Sequence, residues 1–512
     1  MSLRTPVAAA NVTATPGRTP AVVLWLVAAA FVVILNETIM MNAIPQLMEG
    51  LQIDEAAAQW LSTAFLLTMA SVIPVTGWFL QRVTTRTAFA TAMIVFIIGT
   101  TLAAVAPSYP VLLAARIIQA SGTAVMMPLL MTTLMTVVPE RDRGRVMGNV
   151  TLVMSVAPAM GPAVSGLLLG LGSWRLMFFT VLPIAVVVTI AALRKLPNVG
   201  EPQQIGIDWF SVVIAALGFG GLVFGLSRFG QGLGAQPWLL VGGSLLAILV
   251  FVLRQLQLQR RGNPLLDLRT FRRPIFTRAV VLLSVSFMAM LGAMLLLPLY
   301  LQQVRGLTAL EAGLLVMPGG VAMGVLGPRV GRVFDRYGSR LLIIPGSIGI
   351  ALAMGSLTLI DAQTPYWQLL AAHIVLMISL AGVFTPSFTL GLGDVPGRLY
   401  SHASSLLGTL QQVAGALGTA LVITIMTARS TRLVEGGTAP LDATVEGMRW
   451  GFGFGAIIAL VVIGLVLLMP NRLPQQEPGE QEPGSDEAGR QESGVSELPE
   501  PLEDELTPDP AT

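Results

Sequence analysis

The chain has 512 residues, of which 54% are hydrophobic and only 11% are charged, and its mean hydropathy is +0.75. This composition excludes an ordinary globular protein and is typical of a chain that crosses a membrane many times. The absence of cysteine excludes disulfide bonds and thiolate metal sites, and two histidines are too few for a histidine metal centre. The formal net charge of +2 is close to balance.

Apolar windows predict fourteen membrane spans in chain order. Residues 1–21 show no cleavage-site pattern, so we expect the first span to be a retained anchor. The spans are predicted near residues 22–44, 59–80, 88–106, 110–137, 146–171, 176–194, 209–227, 238–254, 276–301, 310–333, 341–360, 367–391, 403–427 and 449–470.

Basic residues indicate how the spans are oriented. If both termini are cytoplasmic, the outer loops hold only Arg175, Arg228, Arg305, Arg429, Arg432 and Arg449, and every other basic residue before Pro474, apart from Arg116 within the fourth span, falls on the cytoplasmic side. Cytoplasmic loops of membrane proteins are enriched in arginine and lysine. We therefore expect an even number of spans with both termini in the cytoplasm.

A carboxylate, Glu37, lies within the first apolar span. A charge near the bilayer centre costs about 3 kcal/mol on insertion scales, so such a group is protonated, paired or exposed to a wet cavity. We interpret Glu37 as a proton carrier. The alternative is a carboxyl group that only hydrogen-bonds between helices.

The fourth span places four side chains on one helical face, because their spacing is three, four and four residues: Arg116, Gln119, Thr123 and Met127. An arginine inside a bilayer keeps its charge and needs a carboxylate or backbone carbonyls as partners. We expect Arg116 to share a cavity with Glu37 and to take part in proton coupling. The alternative is an arginine held permanently by backbone carbonyls.

The loop after the second span and the loop after the tenth span follow a common pattern. This pattern predicts a gate on the cytoplasmic side. Charges in such loops can meet helix ends or carboxylates and release them again; the alternative is the ordinary enrichment of arginine on one side of a membrane. In the first copy Gln81 stands where the second has Asp335. The predicted gating residues are Gly77, Arg82 and Arg86 after the second span, and Gly331, Asp335, Arg336, Gly338 and Arg340 after the tenth.

Small residues mark the fifth and thirteenth spans. Such residues let another helix approach closely, and a proline adds a point of bending. The alternative is the generic small-residue packing that is common in membrane helices. We expect the thirteenth span to pack against the fifth across a central cavity. The predicted packing positions are Gly148, Ala157, Gly161, Pro162, Ser165 and Gly166 in the fifth span, and Gln411, Gly415 and Gly418 in the thirteenth.

Equivalent positions recur at a fixed distance, which indicates an internal duplication. Gly77 and Gly331 are 254 positions apart, and so are Gly161 and Gly415. Six spans then form each half, and spans seven and eight are an insert between them. A cavity is expected at the interface of the two halves, near the middle of the membrane.

These motifs resemble those of the major facilitator superfamily. The segment Gly331–Arg340 resembles the gating loop of that family, Arg116-Ile-Ile-Gln119-Ala-Ser-Gly122 resembles a motif of its proton-coupled members, and the fifth span resembles its antiporter signature. The segments Ser173-Trp174-Arg175, Asp208-Trp209 and Asn263-Pro264-Leu265 resemble the fourteen-span multidrug:proton antiporters, the group of lincomycin-type and quaternary-ammonium-type exporters. The resemblance extends from about residue 22 to residue 470.

The resemblance implies an all-α polytopic membrane protein with the major facilitator fold, in which two pseudo-symmetric six-helix bundles carry two inserted helices. The predicted divisions are a cytoplasmic N-terminal tail at 1–21, an N-terminal bundle at 22–195, a two-helix insert at 196–262, a C-terminal bundle at 263–470 and a disordered acidic cytoplasmic tail at 471–512. The tail is rich in Pro, Glu and Gly, without an apolar period.

The resemblance also implies a function, which is proton-driven export of hydrophobic or amphipathic drugs by alternating access. No cofactor is expected, because the proton gradient supplies the energy and no phosphate-binding Gly-x-x-x-x-Gly-Lys sequence is present. The alternatives are a proton-coupled exporter of one endogenous metabolite or lipid and, in a different class, a membrane-embedded enzyme. The expected partners are the lipid bilayer, drugs and protons, with no nucleic acid and a monomer favoured, in the bacterial cytoplasmic membrane. Candidates for a substrate cavity are Asn36, Met40, Met41, Gln119, Thr123 and Met127, since methionine makes adaptable apolar surfaces.

Overall fold

The computed structural model describes residues 19–199, 202–204, 206–229, 234–262 and 264–473. These residues form helices and connecting turns, without a β-strand among them. Fourteen helical segments in the described ranges are long and apolar enough to cross a membrane, in agreement with the fourteen predicted spans. The N-terminal tail up to residue 18 and the acidic tail from residue 474 lie outside the described residues.

The first half begins with α1 and ends with α7. Long apolar runs make these helices, because each must satisfy its backbone hydrogen bonds internally within a bilayer. The bounds are α1 Ala21–Ile39, α2 Ile44–Leu51, α3 Glu55–Arg82, α4 Thr85–Ala104, α5 Tyr109–Val137, α6 Arg143–Leu171 and α7 Arg175–Lys195.

The remaining helices form the predicted insert and the second half. The seventh span consists of α8 Trp209–Ala215 and α9 Gly221–Ser227, joined through a π-helical turn at Ala216–Gly220. The eighth span is α10 Gln236–Arg260, and the second half comprises α11 Pro274–Gln303, α12 Ala309–Tyr337, α13 Arg340–Leu357, α14 Tyr366–Gly393, α15 Tyr400–Glu435 and α16 Pro440–Leu467.

The first crossing differs from the single helix predicted for residues 22–44. Here α1 stops at Ile39, a 3₁₀ turn covers Met40–Ala43, and α2 continues from Ile44. Pro45 lies in the first turn of α2, and its missing N–H and fixed φ angle interrupt a regular helix before it. The Gln46 amide donates to the carbonyl of Leu169 at 3.2 Å, near the end of α6. The crossing therefore continues into α2.

The last two crossings are longer than predicted. The structure extends α15 to Glu435 and begins α16 at Pro440, whereas the apolar windows end at 427 and begin at 449. Arg429 and Arg432 thus lie on α15 and Arg449 on α16, not in a loop. The Arg449 guanidinium donates to the carbonyl of Thr358 at 2.8 Å, and the Arg429 Cζ lies 5.2 Å from the centre of the Trp450 ring.

The two halves meet most closely along α6 and α12, which we call the glycine seam. A side chain on Gly327 would lie 2.5 Å from the carbonyl oxygen of Gly148, and one on Gly313 would lie 2.7 Å from Pro162. Near the far end, a side chain on Gly166 would lie 2.9 Å from Leu310. The backbones of the two helices therefore approach each other along most of their length, which requires residues without side chains.

Helices α9 and α15 also meet on the other flank. Leu222 and Leu226 form a buried apolar cluster with Ala420 of α15. Gly220 lies against Ser71 of α3, so that a side chain on this glycine would collide with the serine hydroxyl. The predicted insert therefore contacts one helix of each half.

Candidate functional site

The polar side chains of Glu37 and Thr38, near the end of α1, lie at the level of the middle of α6. The Thr38 hydroxyl donates to the carbonyl oxygens of Leu35 at 3.0 Å and Ala157 at 3.4 Å. A side chain on Gly161 would collide with Thr38, so this predicted glycine permits the approach of α1. Residue 157 is at the centre of α6, and Glu37 therefore lies near the middle of the first crossing.

Arg116 is held on α5 by two neighbours. Its guanidinium Nη1 donates to the Gln119 Oε1 at 2.6 Å, and its Cζ lies 4.1 Å from the centre of the Phe65 ring on α3. The side chain is only 1% exposed, and its Nε has no hydrogen-bond partner among the described residues. A buried guanidinium above an aromatic face gains a cation–π interaction.

Gln119 in turn depends on α4. Its amide Nε2 donates to the Thr100 hydroxyl at 2.8 Å, and that hydroxyl donates to the carbonyl of Phe96 at 2.8 Å. Gln119 and Thr100 are both fully buried. The Gln119 amide is thus occupied by Arg116 and Thr100, although the sequence interpretation placed it among the cavity-lining candidates.

Glu37 is partly exposed and makes no hydrogen bond or ion pair with any residue that the structure describes. Arg116 is within electrostatic range of it, yet the direct partner of Arg116 is Gln119. The predicted coupling of the two charges therefore stays a prediction, and among the described residues they form no direct pair. An accessible carboxylate next to an immobile positive charge can gain and lose a proton with little rearrangement of its surroundings.

The other cavity candidates are distributed around this pair. Asn36 and Met40 are buried, as is Thr123, while Met127 is partly exposed. The Asn36 Nδ2 has no hydrogen-bond partner among the described residues, which leaves it available to a ligand. The side chain of Met41 lies outside the described residues.

Cross-half contacts gather at the end where α3, α5, α10, α12 and α14 finish, which we call the arginine-rich end. The Asp335 carboxylate accepts hydrogen bonds from the backbone N–H groups of Gly144 at 2.9 Å and Arg145 at 2.8 Å. These groups belong to the first turn of α6, where unpaired N–H groups and the helix dipole favour a negative charge. Asp335 therefore joins α12 to α6.

The first copy of the loop makes a contact at the equivalent position, but here the side chain of the loop is the hydrogen-bond donor and not the acceptor. The Gln81 Nε2 donates to the carbonyl of Arg398 at 3.1 Å. Residues 81 and 335 are 254 positions apart, and so are 144 and 398. One contact is a carboxylate at a helix N-terminus, and the other is a neutral amide that donates to a carbonyl.

Further cross-half hydrogen bonds lie nearby. The Arg143 guanidinium donates to the Tyr400 hydroxyl at 3.4 Å, and the hydroxyls of Thr151 and Thr385 are 2.8 Å apart. The Thr132 hydroxyl donates to that of Ser404 at 3.3 Å. The halves are therefore closed against each other at the arginine-rich end.

Two glycines of the loops also lie where the halves meet. A side chain on Gly331 would collide with the carbonyl of Gly144, and one on Gly77 would lie 3.0 Å from the His402 ring. Gly338 has a φ angle of +88°, which favours glycine. The chain after α16 supports the second loop: Arg340 N–H donates to Asn471 at 3.0 Å, and Arg472 donates to the carbonyl of Arg336 at 2.6 Å.

The basic residues of the first loop also have partners close by. Arg82 lies 5.7 Å from the centre of the Trp78 ring. The backbone N–H of Arg86 donates to the Asn198 side chain at 3.4 Å. The first contact is within the first half, and the second joins that half to the segment that follows α7.

The predicted packing of the thirteenth span against the fifth is wrong. A side chain on Gly415 would collide with Leu291 of α11, and one on Gly418 would lie 2.6 Å from Met288 of the same helix. The small face of α15 thus packs within its own half, as Gly161 of α6 packs against α1. The Gln411 amide is buried without a hydrogen-bond partner among the described residues.

Sequence reasoning missed several residues that this geometry brings into use. Thr100, Phe65, Tyr400 and Thr385 carry no motif, and a threonine or aromatic residue in an apolar span gives little signal. Gly99 was the available clue to Thr100, because a side chain there would lie 2.5 Å from the backbone nitrogen of Gln119.

Two bundles joined by a glycine seam and closed at one end define a polytopic membrane transporter rather than an enzyme, and the comparisons with known proteins agree. The chain belongs to the major facilitator superfamily, whose profile matches residues 26–419. It is 39% identical to the lincomycin resistance protein LmrB of Listeria innocua, over 85% of this chain and 93% of that one. It is 28% identical to the putative multidrug resistance protein MdtD of Salmonella typhimurium, over 77% of this chain and 84% of that one.

A solved structure shows the same fold. The human organic anion transporter MFSD10 superposes with a TM-score of 0.62 at 12% identity, over 87% of this chain and 98% of that one. At that identity the likeness concerns the fold alone.

Proposed function

We propose that this protein is a proton-driven exporter of hydrophobic or amphipathic drugs, with Glu37 as the proton carrier and Arg116 as the fixed charge beside it. The observation that carries the proposal is a partly exposed carboxylate near the middle of a membrane crossing, without a direct partner among the described residues, and an arginine in electrostatic range that is held by another side chain. Drug export is favoured by the similarity to the lincomycin resistance protein LmrB and to the multidrug resistance protein MdtD.

The orientation follows from charge. The arginine-rich end faces the cytoplasm, because basic residues concentrate on that side of a membrane. Both chain ends are then cytoplasmic. In this proposal Glu37 exchanges protons with the outside while this end is closed, and it takes up a proton as the drug leaves.

The transport cycle needs two states of the cytoplasmic gate. The halves rock about their interface, the contacts of Asp335 and Gln81 separate, and Glu37 releases its proton to the cytoplasm as the next drug binds. Asn36 and Met127 line the drug site beside Glu37. Each proton that moves inward supplies about 2.3 kcal/mol per 100 mV and about 1.4 kcal/mol per pH unit.

Purified protein in proteoliposomes tests this proposal. Lincomycin, and in parallel the lipophilic cation tetraphenylphosphonium, is added under an imposed pH gradient, and proton movement and drug uptake are recorded. We expect Glu37→Gln, which keeps the side-chain volume, to bind drug but to lose coupled proton movement. Glu311→Gln is the matched control, because Glu311 only caps the start of α12 through Thr308.

The outcomes separate the candidate functions. Undiminished coupling in Glu37→Gln would refute the role of Glu37. Failure of the wild type to move either drug, with proton movement driven by an extracted lipid or metabolite, would favour the exporter of one endogenous compound.

A further inference from the structure

We propose that Thr100 is a positioning residue for proton coupling, acting through Gln119 to hold Arg116 beside Glu37 without letting the two close into an ion pair. This inference deepens the proposed function and depends on it. It assigns a role to a residue of α4 whose side-chain hydrogen bonds are to Gln119 and to the carbonyl of Phe96, and not to Glu37 or Arg116.

The geometry forms a continuous chain across three helices. Thr100 on α4 accepts from the Gln119 Nε2 at 2.8 Å, and Gln119 on α5 accepts from the Arg116 Nη1 at 2.6 Å. Phe65 on α3 covers the guanidinium with its ring centre 4.1 Å away. The arginine is thus fixed from two directions, by a hydrogen bond and by an aromatic face.

Close helix packing keeps Thr100 in place. Side chains on Gly99 of α4 and Gly122 of α5 would each come too near to the backbone of the other helix. The two helices therefore cannot slide or separate at this level without losing contacts. Thr100 follows Gly99 in the chain, so its position relative to Gln119 is fixed by the same close packing.

Because the site is buried, loss of the Thr100 hydroxyl should affect the position of Gln119. Thr100, Gln119 and Arg116 are at most 1% exposed, so no solvent can replace a missing hydrogen bond. An amide that loses its acceptor in such a place turns towards another one. Gln119 would then release the Arg116 Nη1, and the freed guanidinium has Glu37 within electrostatic range.

A closed Arg116–Glu37 pair would impair proton coupling. An ion pair in a low-dielectric site stabilises the charged carboxylate, so more acid is needed to protonate it. In the present arrangement Arg116 is near enough to Glu37 to favour release of its proton. Because Gln119 and Phe65 hold Arg116 in place, it does not pair with Glu37 and does not prevent proton uptake. The consequence is measurable as a change in the pH profile, not only as a loss of stability.

The test uses the proteoliposome assay with lincomycin and tetraphenylphosphonium, in full-length protein, normalised to the amount of monodisperse protein. For Thr100→Val we expect a fall in coupled proton movement of about tenfold, equivalent to about 1.4 kcal/mol, and a shift of the pH profile by about one unit towards acid. Thr100→Ser keeps the hydroxyl, so we expect it to retain the coupled proton movement and the pH profile of the wild type. If Thr100→Val does not fold, Thr100→Ala removes the same hydroxyl without placing a methyl group against the Gln119 amide.

Thr101→Val is the matched control. The Thr101 hydroxyl donates to the carbonyl of Ile97 at 2.8 Å on the exposed face of the same helix, so its removal should leave the profile unchanged. In a double-mutant cycle, Thr100→Val combined with Gln119→Leu should be no worse than Gln119→Leu alone. Additive losses would show that Thr100 acts by another route.

The possible failures are distinguishable. A pH profile of Thr100→Val that matches the wild type, while Glu37→Gln is uncoupled, overturns the role of Thr100 and leaves the proposed function intact. Normal coupling in Glu37→Gln overturns both. A lower amount of folded Thr100→Val with an unchanged profile per molecule assigns Thr100 a structural role only.

Discussion

Removing the Asp335 charge should open the cytoplasmic gate. Asp335 accepts two backbone hydrogen bonds at 2.9 and 2.8 Å from the first turn of α6, and both join one half of the protein to the other. An asparagine keeps a single oxygen acceptor and no charge. Because hydrogen bonds to charged groups contribute about 1.5–3 kcal/mol each, we expect Asp335→Asn to destabilise the closed gate by about 2 kcal/mol, a change of about 30-fold in the equilibrium.

The absence of cysteine from the chain simplifies the measurement. Spin labels on Thr87→Cys and Leu341→Cys, which are exposed at the starts of α4 and α13, report the distance between the halves at this end. Asp335→Asn should shift the distance distribution towards longer values. The converse change, Gln81→Asp, should shift it towards shorter ones, because a carboxylate then lies at the α15 N-terminus as Asp335 lies at that of α6.

Unchanged distances in Asp335→Asn would refute the reasoning, because the two hydrogen bonds would then contribute nothing to closure. A shift of both variants in the same direction would refute the equivalence of the two loops. Combining the two substitutions moves the carboxylate from one loop to the other, and should return the distribution towards that of the wild type.

Two further predictions concern stability. Gly327→Ala places a methyl group 2.5 Å from the carbonyl of Gly148 and should cost about 1–3 kcal/mol, seen as earlier thermal unfolding in detergent; Gly464→Ala, with open space around it, should cost nothing measurable. Hydrogen bonds from Arg254 hold the pKa of Asp208 below its ordinary value of 3.8, so the stabilisation is complete at neutral pH and is lost only as the pH falls below about 4. Asp208→Asn should therefore lower stability by about 1 kcal/mol at pH 7, since the pair is partly exposed, and the difference from the wild type should vanish in acid; a difference that persists there would contradict this.

Helix positions were predictable from the sequence because apolar runs of about 20 residues have few alternatives in a bilayer. Helix ends were less so. The apolar windows missed the break after Ile39, because the residues on both sides of it are apolar, although Pro45 was a usable signal. They also ended α15 too early, since arginines such as Arg429 lower hydropathy without ending a helix.

Spacing predicted which residues permit close approach, but not which helix approaches. Gly148 and Gly161 were identified as packing positions, and they meet α12 and α1 respectively. For Gly415 the expected partner was wrong, because a small face fits any neighbour of suitable shape. The spacing placed Arg116 and Gln119 on one helical face, but it could not show that the guanidinium bonds directly to Gln119 and not to the oppositely charged Glu37.

The inserted helices have a mechanical consequence for transport. Helix α9 packs against Ala420 of α15, while the turn before it is pressed against Ser71 of α3. Since α3 and α15 belong to different halves, rocking must break one of these attachments or bend the π-helical turn between them. The insert thus limits how far α3 and α15 can separate. Shortening it should change the distance by which the halves open and leave the affinity for the drug unchanged.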